Sequence, residues 1–499
     1  MFRLAPTDPA SVWCGVLTLG VYVSLLFMLS VPLLLASTAP PCRALLDGMQ
    51  AKLEGNYAGY LLEVKGKPRQ AEHNRMLAGV RRRADAATDA GCFVVLHDYI
   101  AWFNDPHLFV YQSPRLDSAE TGHRAGSVPR VSIDEAAVRA RLARIGAAAD
   151  PIEGIWYDGA MQVAVIPDPA GVVGRFVAVV TVSDTTTLPV GAVHAVFTRR
   201  RNGGYDTDLR WRSLAVTHPP VTIHRGGTLL RLSPGMWGKR YPGAEAERAL
   251  LDSTDVHRPT FTWRGTTAVI SVPSHDGGHR ARLGALLNAN RARLDSADAL
   301  IIDLRGNEGG GSQTTAALHP YVVGSDSLDP SADFGAPVML SSPDQLSYTR
   351  RAFGSDTSAF VRRIVAAMEA APGTLVPMFD PAQPVPATAY PPPVFGPRKV
   401  FMLIDGGTVS ASEVIVQLAL RSKRTTVIGE PTAGALDYQS TNVVRIHPEE
   451  GRWLLGYPTI TAHARLPEGG MRGKGIAPEI ALKWAQVTDP VEAALRASP

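Results

Sequence analysis

Residues 400–420 read VFMLIDGGTVSASEVIVQLAL, which predicts a buried strand, a short loop and a helix in that order. Ser410 stands where the helix begins, at a point where backbone N–H groups lack partners and the helix dipole favours negative charge. This position suits a nucleophile whose reaction intermediate carries an oxyanion. A serine that only caps the helix fits the same pattern, so both interpretations stay open on this stretch.

Strand and helix patterns alternate on both sides of this stretch, over residues 261–499. Further apolar strand candidates lie at 268–272, 299–304 and 426–428. Residues 371–398 are rich in proline and predict a surface loop. The alternation predicts an α/β layer fold with a mostly parallel sheet.

A second segment that could carry chemistry begins in one of these strands. Residues 300–312 read LIIDLRGNEGGGS, so a glycine-rich turn follows the end of a strand. Glycine adopts backbone angles closed to other residues, and such a turn can aim its amide groups at an anion, including the oxyanion of acyl transfer. A turn with a purely structural role is about as common, so this segment decides little on its own.

A candidate base lies about 300 residues earlier, in the sequence WFNDPHLFV at residues 102–110. Pro106 disfavours helical geometry at Asp105, so a turn begins there and carries His107. A histidine within reach of Ser410 could take its proton as a general base. Most single histidines are surface or core residues, and the sequence alone does not bring these two side chains together.

The N-terminal half of the chain shows two further kinds of pattern. Residues 43–104 carry apolar residues at helical spacing, whereas residues 150–235 contain short β-rich runs separated by Gly, Pro, Asn and Asp. The second region predicts a small antiparallel barrel or sandwich. We therefore expect four parts, namely an N-terminal segment at 1–41, a helical region at 42–130, a β-rich domain at 131–255 and an α/β domain at 256–499.

An uncharged apolar run lies near the start of the chain, where residues 12–36 read VWCGVLTLGVYVSLLFMLSVPLLLA. A membrane-spanning helix needs roughly 20 such residues, whereas the apolar part of a cleaved signal peptide is roughly 7–15 residues long. The run therefore predicts a retained membrane anchor with the large domain outside the cytoplasm, either periplasmic or secreted. Small residues at 36–39 leave cleavage open as an alternative.

The composition argues against some partners and cofactors. The net charge of +4 over 499 residues, without a basic stripe, argues against nucleic acid. His257, His275 and His279 lie near one another, but no carboxylate or cysteine pattern accompanies them, so neither a metal nor a cofactor is predicted. Cys42 and Cys92 could pair in an oxidising compartment or could remain separate buried thiols.

Five motifs in a fixed order together resemble peptidase family S41, which includes the tail-specific proteases and the tricorn core protease. The resemblance covers residues 261–499 and the region of His107. It implies a crotonase-like (ClpP/crotonase-type) α/β catalytic domain. The residue patterns add a small β-rich domain inserted before it and a helical segment at the N-terminus. The motifs are Asp-x-His at 105–107, Asp-Leu-Arg-x-Asn-x-Gly-Gly at 303–310, Ser-Ala-Ser-Glu at 410–413, Gly-Glu-Pro-Thr-x-Gly at 429–434 and Gly-Ile-x-Pro-Glu at 475–479.

The resemblance also implies site residues and a reaction. Ser410 matches the nucleophile of the family, and the amide of Ala411 with that of Gly309 or Gly310 would form the oxyanion hole. The implied activity is that of a serine-type endopeptidase or carboxyl-terminal processing hydrolase acting on peptides or proteins. The β-rich domain would then gate or present the substrate.

The family divides over its general base. Tail-specific members use a lysine at the position where this chain has Ala435, whereas tricorn-like members use a histidine that His107 matches. Those tricorn-like members also have a serine just before the histidine, where this chain has Pro106. They have a glutamate at the position where Arg472 stands here, so the resemblance is incomplete around the base.

These departures leave alternatives open. Glu468 is the candidate third catalytic residue, Asp437 is another, and the third residue could also be absent. A silent member that binds peptides or an apolar ligand, and a hydrolase of esters or small amides, both remain alternatives to a peptidase. The expected partners are a peptide or protein substrate and the membrane, and the oligomeric state is left open.

Overall fold

The computed structural model of the chain describes residues 40–497, with several gaps. The predicted anchor at 12–36 and His257 lie outside the described residues, so the anchor stays a prediction. No helix of the described part is both long enough and apolar enough to cross a membrane. The described residues are 40–113, 126–158, 161–183, 188–201, 203–212, 214–232, 235–242, 258–323, 337–352, 354, 358–378, 396–448, 450–462, 466, 468 and 470–497.

The helices lie mainly in two groups, one before the first strand and one around the strands of the C-terminal half. Short 3₁₀ turns lie at Gly146–Ala148, Arg225–Gly227, Gly277–His279, Ser312–Leu318 and Trp484–Gln486. The α-helices are α1 Cys42–Asn56, α2 Ala58–Glu63, α3 Gln70–Asp85, α4 Asp89–Ala101, α5 Glu135–Ile145, α6 Arg280–Ala289, α7 Arg291–Leu294, α8 His319–Val322, α9 Pro343–Ala352, α10 Ala359–Ala370, α11 Ala411–Leu420 and α12 Pro490–Ala497.

The strands form three sheets in the described part of the chain. They are β1 Phe109–Gln112, β2 Gly154–Tyr157, β3 Gln162–Pro167, β4 Arg175–Val182, β5 Val193–Arg199, β6 Tyr205–Arg210, β7 Val216–Thr217, β8 Val221–His224, β9 Leu229–Leu232, β10 Gly235–Tyr241, β11 Thr260–Arg264, β12 Thr267–Ser271, β13 Ala299–Asp303, β14 Val338–Leu340, β15 Leu375–Pro377, β16 Lys399–Ile404, β17 Thr425–Gly429, β18 Tyr438–His447, β19 Glu450–Thr461 and β20 Ile480–Ala481.

The six-stranded sheet has the order β11-β12-β13-β16-β17-β20 and is parallel from β12 to β20. Apolar side chains of α6, α8 and α11 cover one face and those of α12 cover the other, so β13 is buried along its whole length. A strand buried on both faces reads as a continuous apolar run, which is why the sequence predicts these strands. The mixed α/β architecture is therefore as expected.

The register of this sheet brings two loops together. Asp303 at the end of β13 is the partner of Leu403 near the end of β16. Carboxyl ends of neighbouring parallel strands meet at one edge of a sheet, where sites of open α/β sheets form. The glycine-rich turn after β13 and the loop that carries Ser410 after β16 therefore lie side by side.

The five-stranded sheet joins the region of His107 to the C-terminal half. β1 pairs antiparallel with β19, and β19 also pairs with β14 and β18. Helices α1 to α4 pack against this sheet around a core that includes Leu46, Tyr99 and Trp453. A disulfide between Cys42 and Cys92 links α1 to α4. The helical region thus shares a sheet and a core with residues after 337.

The nine-stranded sheet contains β2 to β10 and is antiparallel throughout, with the order β7-β6-β5-β4-β3-β2-β10-β9-β8. The sheet curls around one core that contains Trp156, Phe197 and Trp237, and β6 contacts β8. No hydrogen-bonded strand pair closes it into a barrel among the described residues. The β-rich region is thus one rolled sheet, whereas the sequence predicts either a barrel or a sandwich.

Candidate active site

Ser410 lies at the N-terminus of α11, where the chain leaves the six-stranded sheet. Its backbone angles are φ 57° and ψ −118°, a strained conformation for a residue other than glycine. Two hydrogen bonds hold the loop to the glycine-rich turn, from the hydroxyl of Thr408 to the carbonyl of Leu304 at 3.0 Å and from the amide of Val409 to the carbonyl of Asn307 at 2.8 Å. Contacts on both sides therefore maintain the strain at Ser410.

Glu413 fixes the backbone of Ser410 from inside the protein. Its buried carboxylate accepts hydrogen bonds from the amide of Ser410 at 2.8 Å and from the hydroxyl of Thr432 at 2.6 Å. It also accepts bonds from the amides of Gly434 and Ala435 at 2.8 and 2.9 Å. Burial raises the pKa of Glu413, and these hydrogen bonds act against that rise. The motif turn at 429–434 is thereby tied to the start of α11.

His107 reaches Ser410 from the turn between α4 and β1. Its Nε2 atom lies 2.7 Å from Oγ of Ser410, although 303 residues separate them along the chain. The pairing of β1 with β19 and the packing of α4 against the same sheet fix this turn in place. The hydroxyl at the N-terminus of α11 thus faces an imidazole.

Asp105 lies directly behind His107. The carboxylate is buried, and its Oδ1 accepts a hydrogen bond from the backbone amide of His107 at 2.8 Å. The same Oδ1 lies 3.8 Å from Nδ1 of His107. Its Oδ2 accepts a hydrogen bond from the hydroxyl of Tyr57 at 2.7 Å. Sequence reasoning used Asp105 only to define the turn and assigned it no part in the site.

The glycine-rich turn lies against the nucleophile loop. A Cβ built on Gly309 would lie 2.8 Å from Cβ of Ser410 and 3.2 Å from the amide nitrogen of Ala411. The amide of Gly309 donates to Oδ1 of Asn307 at 2.8 Å and is therefore engaged. Among the described residues, no hydrogen bond uses the amides of Gly310 or Ala411. Ala411 follows Ser410 directly, and Gly310 follows Gly309 in the turn that contacts Ser410.

A hairpin of the nine-stranded sheet also contacts both loops. Nδ1 of His224 lies 2.6 Å from Oδ2 of Asp405, whose Oδ1 accepts hydrogen bonds from the amides of Gly306 and Gly407. Burial acts to raise the pKa of Asp405, but its hydrogen bonds, led by that with His224, lower it below the usual value. Arg225 donates to the carbonyl of Arg305 at 2.8 Å. The rolled sheet therefore supports the two loops directly.

The ion pair of Asp303 and Arg305 predicts a pH-dependent stability. Burial acts to raise the pKa of Asp303, but the guanidinium groups of Arg305 and Arg225 outweigh it and lower the pKa to about 2. A carboxyl group with a lowered pKa stabilises the fold above its unfolded pKa and loses that contribution as the pH falls towards about 2. We expect this group to contribute about 2 kcal/mol at neutral pH, lost between about pH 4 and pH 2.

Urea unfolding of the wild type and of Asp303→Asn across this pH range checks the expectation. The variant should lack this part of the acid dependence. It should also be less stable at pH 6, by about 3–5 kcal/mol, because Arg305 is left unpaired in the interior. Equal acid dependence in the two proteins would contradict the assignment.

The two candidate third residues, Glu468 and Asp437, form no ion pair with His107 among the described residues. Glu468 is exposed on a turn, and no hydrogen bond of the described residues joins it to His107. Asp437 accepts hydrogen bonds from the amides of Met471 and Arg472 at 2.7 and 3.0 Å, so its carboxylate holds that backbone. Ala435 is buried. Neither candidate third residue is brought to the imidazole in this arrangement.

The histidines considered as metal ligands do not form a cluster in the described part of the chain. No group of three or more His, Cys, Asp or Glu side chains there could hold a metal ion. The ring of His275 is buried, with Nδ1 3.2 Å from Oδ1 of Asn307. Burial lowers the pKa of His275 to about 4, so its imidazole is neutral near pH 7. It packs behind the glycine-rich turn.

Comparison with known proteins identifies a family for one segment of the chain. Residues 266–482 match the model of peptidase family S41. A comparison with curated protein sequences gave no match. The structure of mature CPAF complexed with lactacystin is 13% identical, with 88% of this chain and 94% of that chain covered and a TM-score of 0.46.

Two further solved structures are similar at the same level of identity. The photosystem II D1 C-terminal processing protease is 13% identical, with 92% of this chain and 97% of that chain covered and a TM-score of 0.37. The tricorn protease is 13% identical, with 92% of this chain and 37% of that chain covered and a TM-score of 0.37.

The segment 266–482 is therefore an S41 peptidase domain. The resemblance drawn from the five motifs is thereby confirmed. A domain of this family identifies the chain as a serine-type peptidase, that is, a hydrolase.

Proposed function

We propose that the chain hydrolyses peptide bonds with Ser410 as nucleophile and His107 as general base, as an endopeptidase or carboxyl-terminal processing enzyme. The observation that carries the proposal is the distance of 2.7 Å between Nε2 of His107 and Oγ of Ser410. A nucleophile and a base within hydrogen-bond reach are the arrangement that nucleophilic catalysis requires. A serine that served only as a helix cap would not need an imidazole on its hydroxyl.

The proposed reaction proceeds in two stages. His107 takes the proton of Ser410 as its oxygen attacks the substrate carbonyl carbon, and the protonated imidazole then gives that proton to the leaving amine. Water next attacks the acyl-enzyme, again with His107 as base, and Ser410 regains its proton as the carboxylate product leaves. The reaction calls on no metal or cofactor, since the side chains supply both proton transfers.

The amides of Ala411 and Gly310 are the proposed oxyanion hole. Each tetrahedral intermediate carries a negative charge on the former carbonyl oxygen, and backbone N–H groups stabilise it. The sequence leaves Gly309 and Gly310 as alternatives for the second donor. The bond from the amide of Gly309 to Asn307 favours Gly310, because an engaged amide is a poorer donor for the oxyanion.

Gly309→Ala is expected to lower the hydrolytic rate by about 10²-fold or more, because a displaced nucleophile loses its alignment. The new methyl group would lie 2.7 Å from the carbonyl of Val409 and 2.8 Å from Cβ of Ser410, at a φ of +91°. Gly311→Ala is the matched control, since its methyl group would meet no atom closer than 3.8 Å. Equal rates in the two variants would contradict the close approach.

The domain organisation is also part of the proposal. We propose that the six-stranded sheet and its helices form a crotonase-like core, and that the nine-stranded sheet is an inserted domain that presents or gates the substrate. The contacts of His224 and Arg225 with the two loops support a direct link between this sheet and the site.

An extracytoplasmic location is proposed for the catalytic part of the chain. The disulfide between Cys42 and Cys92 supports an oxidising compartment such as the periplasm or the exterior. The apolar run at 12–36 would anchor the chain in the membrane or direct its export. If a thiol reagent modifies both Cys42 and Cys92 in freshly isolated protein that has not been reduced, the two residues are not disulfide-bonded. That result would count against this location.

The test of function is a substrate profile of the purified full-length chain. Peptide libraries and a series of carboxylic esters are incubated with the wild type and with Ser410→Ala. Cleavage of peptides that needs Ser410 supports a peptidase. Hydrolysis of esters alone supports the alternative ester hydrolase, and binding without turnover supports a silent member, which the arginine at the position of the family's glutamate favours.

A further inference from the structure

We propose that Asp105 positions His107 for catalysis, and that Tyr57 and the ion pair of Arg472 with Glu63 hold Asp105 in this role. The inference rests on the proposed function, because it concerns the base of the same reaction. It assigns the place of the missing third residue to a side chain two positions before His107, in preference to Glu468 and Asp437.

When Nε2 of His107 acts as the base, its Nδ1 carries a hydrogen that needs an acceptor. A neutral imidazole donates from one nitrogen and accepts at the other. If Nε2 accepts the proton of Ser410, the hydrogen of His107 must lie on Nδ1. That atom is buried and has no hydrogen-bond partner among the described residues. Its neighbour is Oδ1 of Asp105 at 3.8 Å, which is too long for a hydrogen bond in the free enzyme.

In many enzymes, a catalytic hydrogen bond that is long in the free enzyme shortens when substrate binds. The 3.8 Å between Nδ1 of His107 and Oδ1 of Asp105 is therefore compatible with a hydrogen bond that forms once the imidazole is protonated. An imidazolium forms when His107 takes the proton of Ser410. A buried carboxylate at this position stabilises that positive charge at the moment it appears. The hydrogen bond of 2.8 Å from the amide of His107 to Oδ1 of Asp105 holds the carboxylate next to the residue that carries the ring.

Tyr57 fixes the other oxygen of Asp105. The tyrosine is fully buried, and its hydroxyl donates to Oδ2 of Asp105 at 2.7 Å. Burial raises the pKa of Tyr57 well above its usual value, so the hydroxyl keeps its proton and remains a donor. Burial also raises the pKa of Asp105, and His107, Tyr57 and Arg472 act against that rise. Both oxygens of the carboxylate therefore have defined partners.

Arg472 is positively charged where the family resemblance predicts a negatively charged glutamate. The groups around it, a backbone carbonyl and a carboxylate, are partners for a positive charge. Its Nη1 donates to the carbonyl of Phe103 at 2.8 Å, in the segment that leads to Asp105. Its guanidinium forms an ion pair with the buried carboxylate of Glu63, which also accepts a hydrogen bond from Tyr438 at 2.7 Å. A glutamate at 472 would face Glu63 and Asp105. Asp105, which lies on the same turn as His107, is therefore the carboxylate that acts on the base.

The experiment compares wild type, Asp105→Asn and Tyr57→Phe as full-length proteins, with Asp98→Asn as the matched control on α4. The rate at which a fluorophosphonate labels Ser410 is measured, together with kcat and KM for a cleaved substrate. We expect the labelling rate and kcat to fall about 10²- to 10⁴-fold in Asp105→Asn, with a smaller change in KM. Tyr57→Phe should lose about tenfold, and Asp98→Asn should match the wild type.

A spectroscopic signature separates positioning from a purely structural role. In the phosphonylated protein, the proton on Nδ1 of the His107 imidazolium should give a far-downfield NMR signal that is absent from Asp105→Asn. Urea unfolding shows whether each variant is folded. If Asp105→Asn does not fold, Tyr57→Phe tests the positioning role in its place. A Tyr57→Phe protein with wild-type rates and an unchanged signal would then overturn the proposal.

Failure of this inference is distinct from failure of the proposed function. A folded wild type that is neither labelled nor active overturns both. Labelling that needs Ser410 and His107 but is unchanged in Asp105→Asn overturns only the role of Asp105. A loss of 10²-fold or more in Glu468→Gln, with none in Asp105→Asn, would give that role to Glu468 instead.

Discussion

Ser410→Ala is expected to lower kcat/KM for peptide cleavage by about 10⁴- to 10⁶-fold and to leave the fold intact. The substitution removes the oxygen that lies 2.7 Å from Nε2 of His107 and would form the acyl-enzyme. It leaves the amide of Ser410 bonded to Glu413, so the start of α11 is preserved. The measurement is steady-state kinetics, with urea unfolding to verify the fold.

Ser132→Ala is the matched control, since this serine is exposed and lies before α5, away from the site. It should retain wild-type activity. Peptide cleavage by Ser410→Ala at a rate close to that of the wild type would mean that another group is the nucleophile.

His107→Gln is expected to lower kcat/KM by about 10³- to 10⁶-fold, because glutamine cannot take the proton of Ser410. The amide side chain can still reach the hydroxyl and preserves much of the volume, so the turn between α4 and β1 should remain folded. Kinetics at several pH values measure the loss. Nucleophile and base act as one unit, so the double variant with Ser410→Ala should be little worse than either single variant.

His218→Gln controls for the loss of an imidazole. His218 is exposed in the loop between β7 and β8, where Nδ1 lies 2.8 Å from Oδ1 of Asp208. Its replacement should leave catalysis unchanged. A His107→Gln protein with full activity would remove His107 from the mechanism and leave Ser410 without a base.

Local sequence patterns predict the strands of the six-stranded sheet and the β-rich region at 150–235, but they do not predict the pairing of strands that lie far apart in the sequence. The strands predicted at 268–272, 299–304 and 426–428 agree with β12, β13 and β17 to within one or two residues, because buried parallel strands are continuous apolar runs. The pairing of β1 with β19 joins residues more than 300 positions apart. Apolar spacing within one segment carries no information about such a partner. The curl of the nine-stranded sheet is likewise a property of tertiary packing.

The nucleophile and the base could be foreseen only through the order of the motifs. The segment at 400–420 alone is compatible with Ser410 as a helix cap, and no local pattern links His107 to it. Asp105 was within reach of sequence reasoning, because an aspartate two residues before a histidine can bond to its amide in a turn. The ion pair of Arg472 with Glu63 was not, since the two residues lie 409 positions apart and only the fold brings them together.

The contact between His107 and Ser410 is tested most directly by mapping the site of modification after the full-length protein reacts with a fluorophosphonate. Digestion and mass spectrometry identify the serine that carries the phosphonyl group, in the wild type and in His107→Gln. We predict modification of Ser410 in the wild type and a rate lowered at least 10²-fold in the variant. Modification at a different serine, or rapid labelling of Ser410 without His107, would contradict the account.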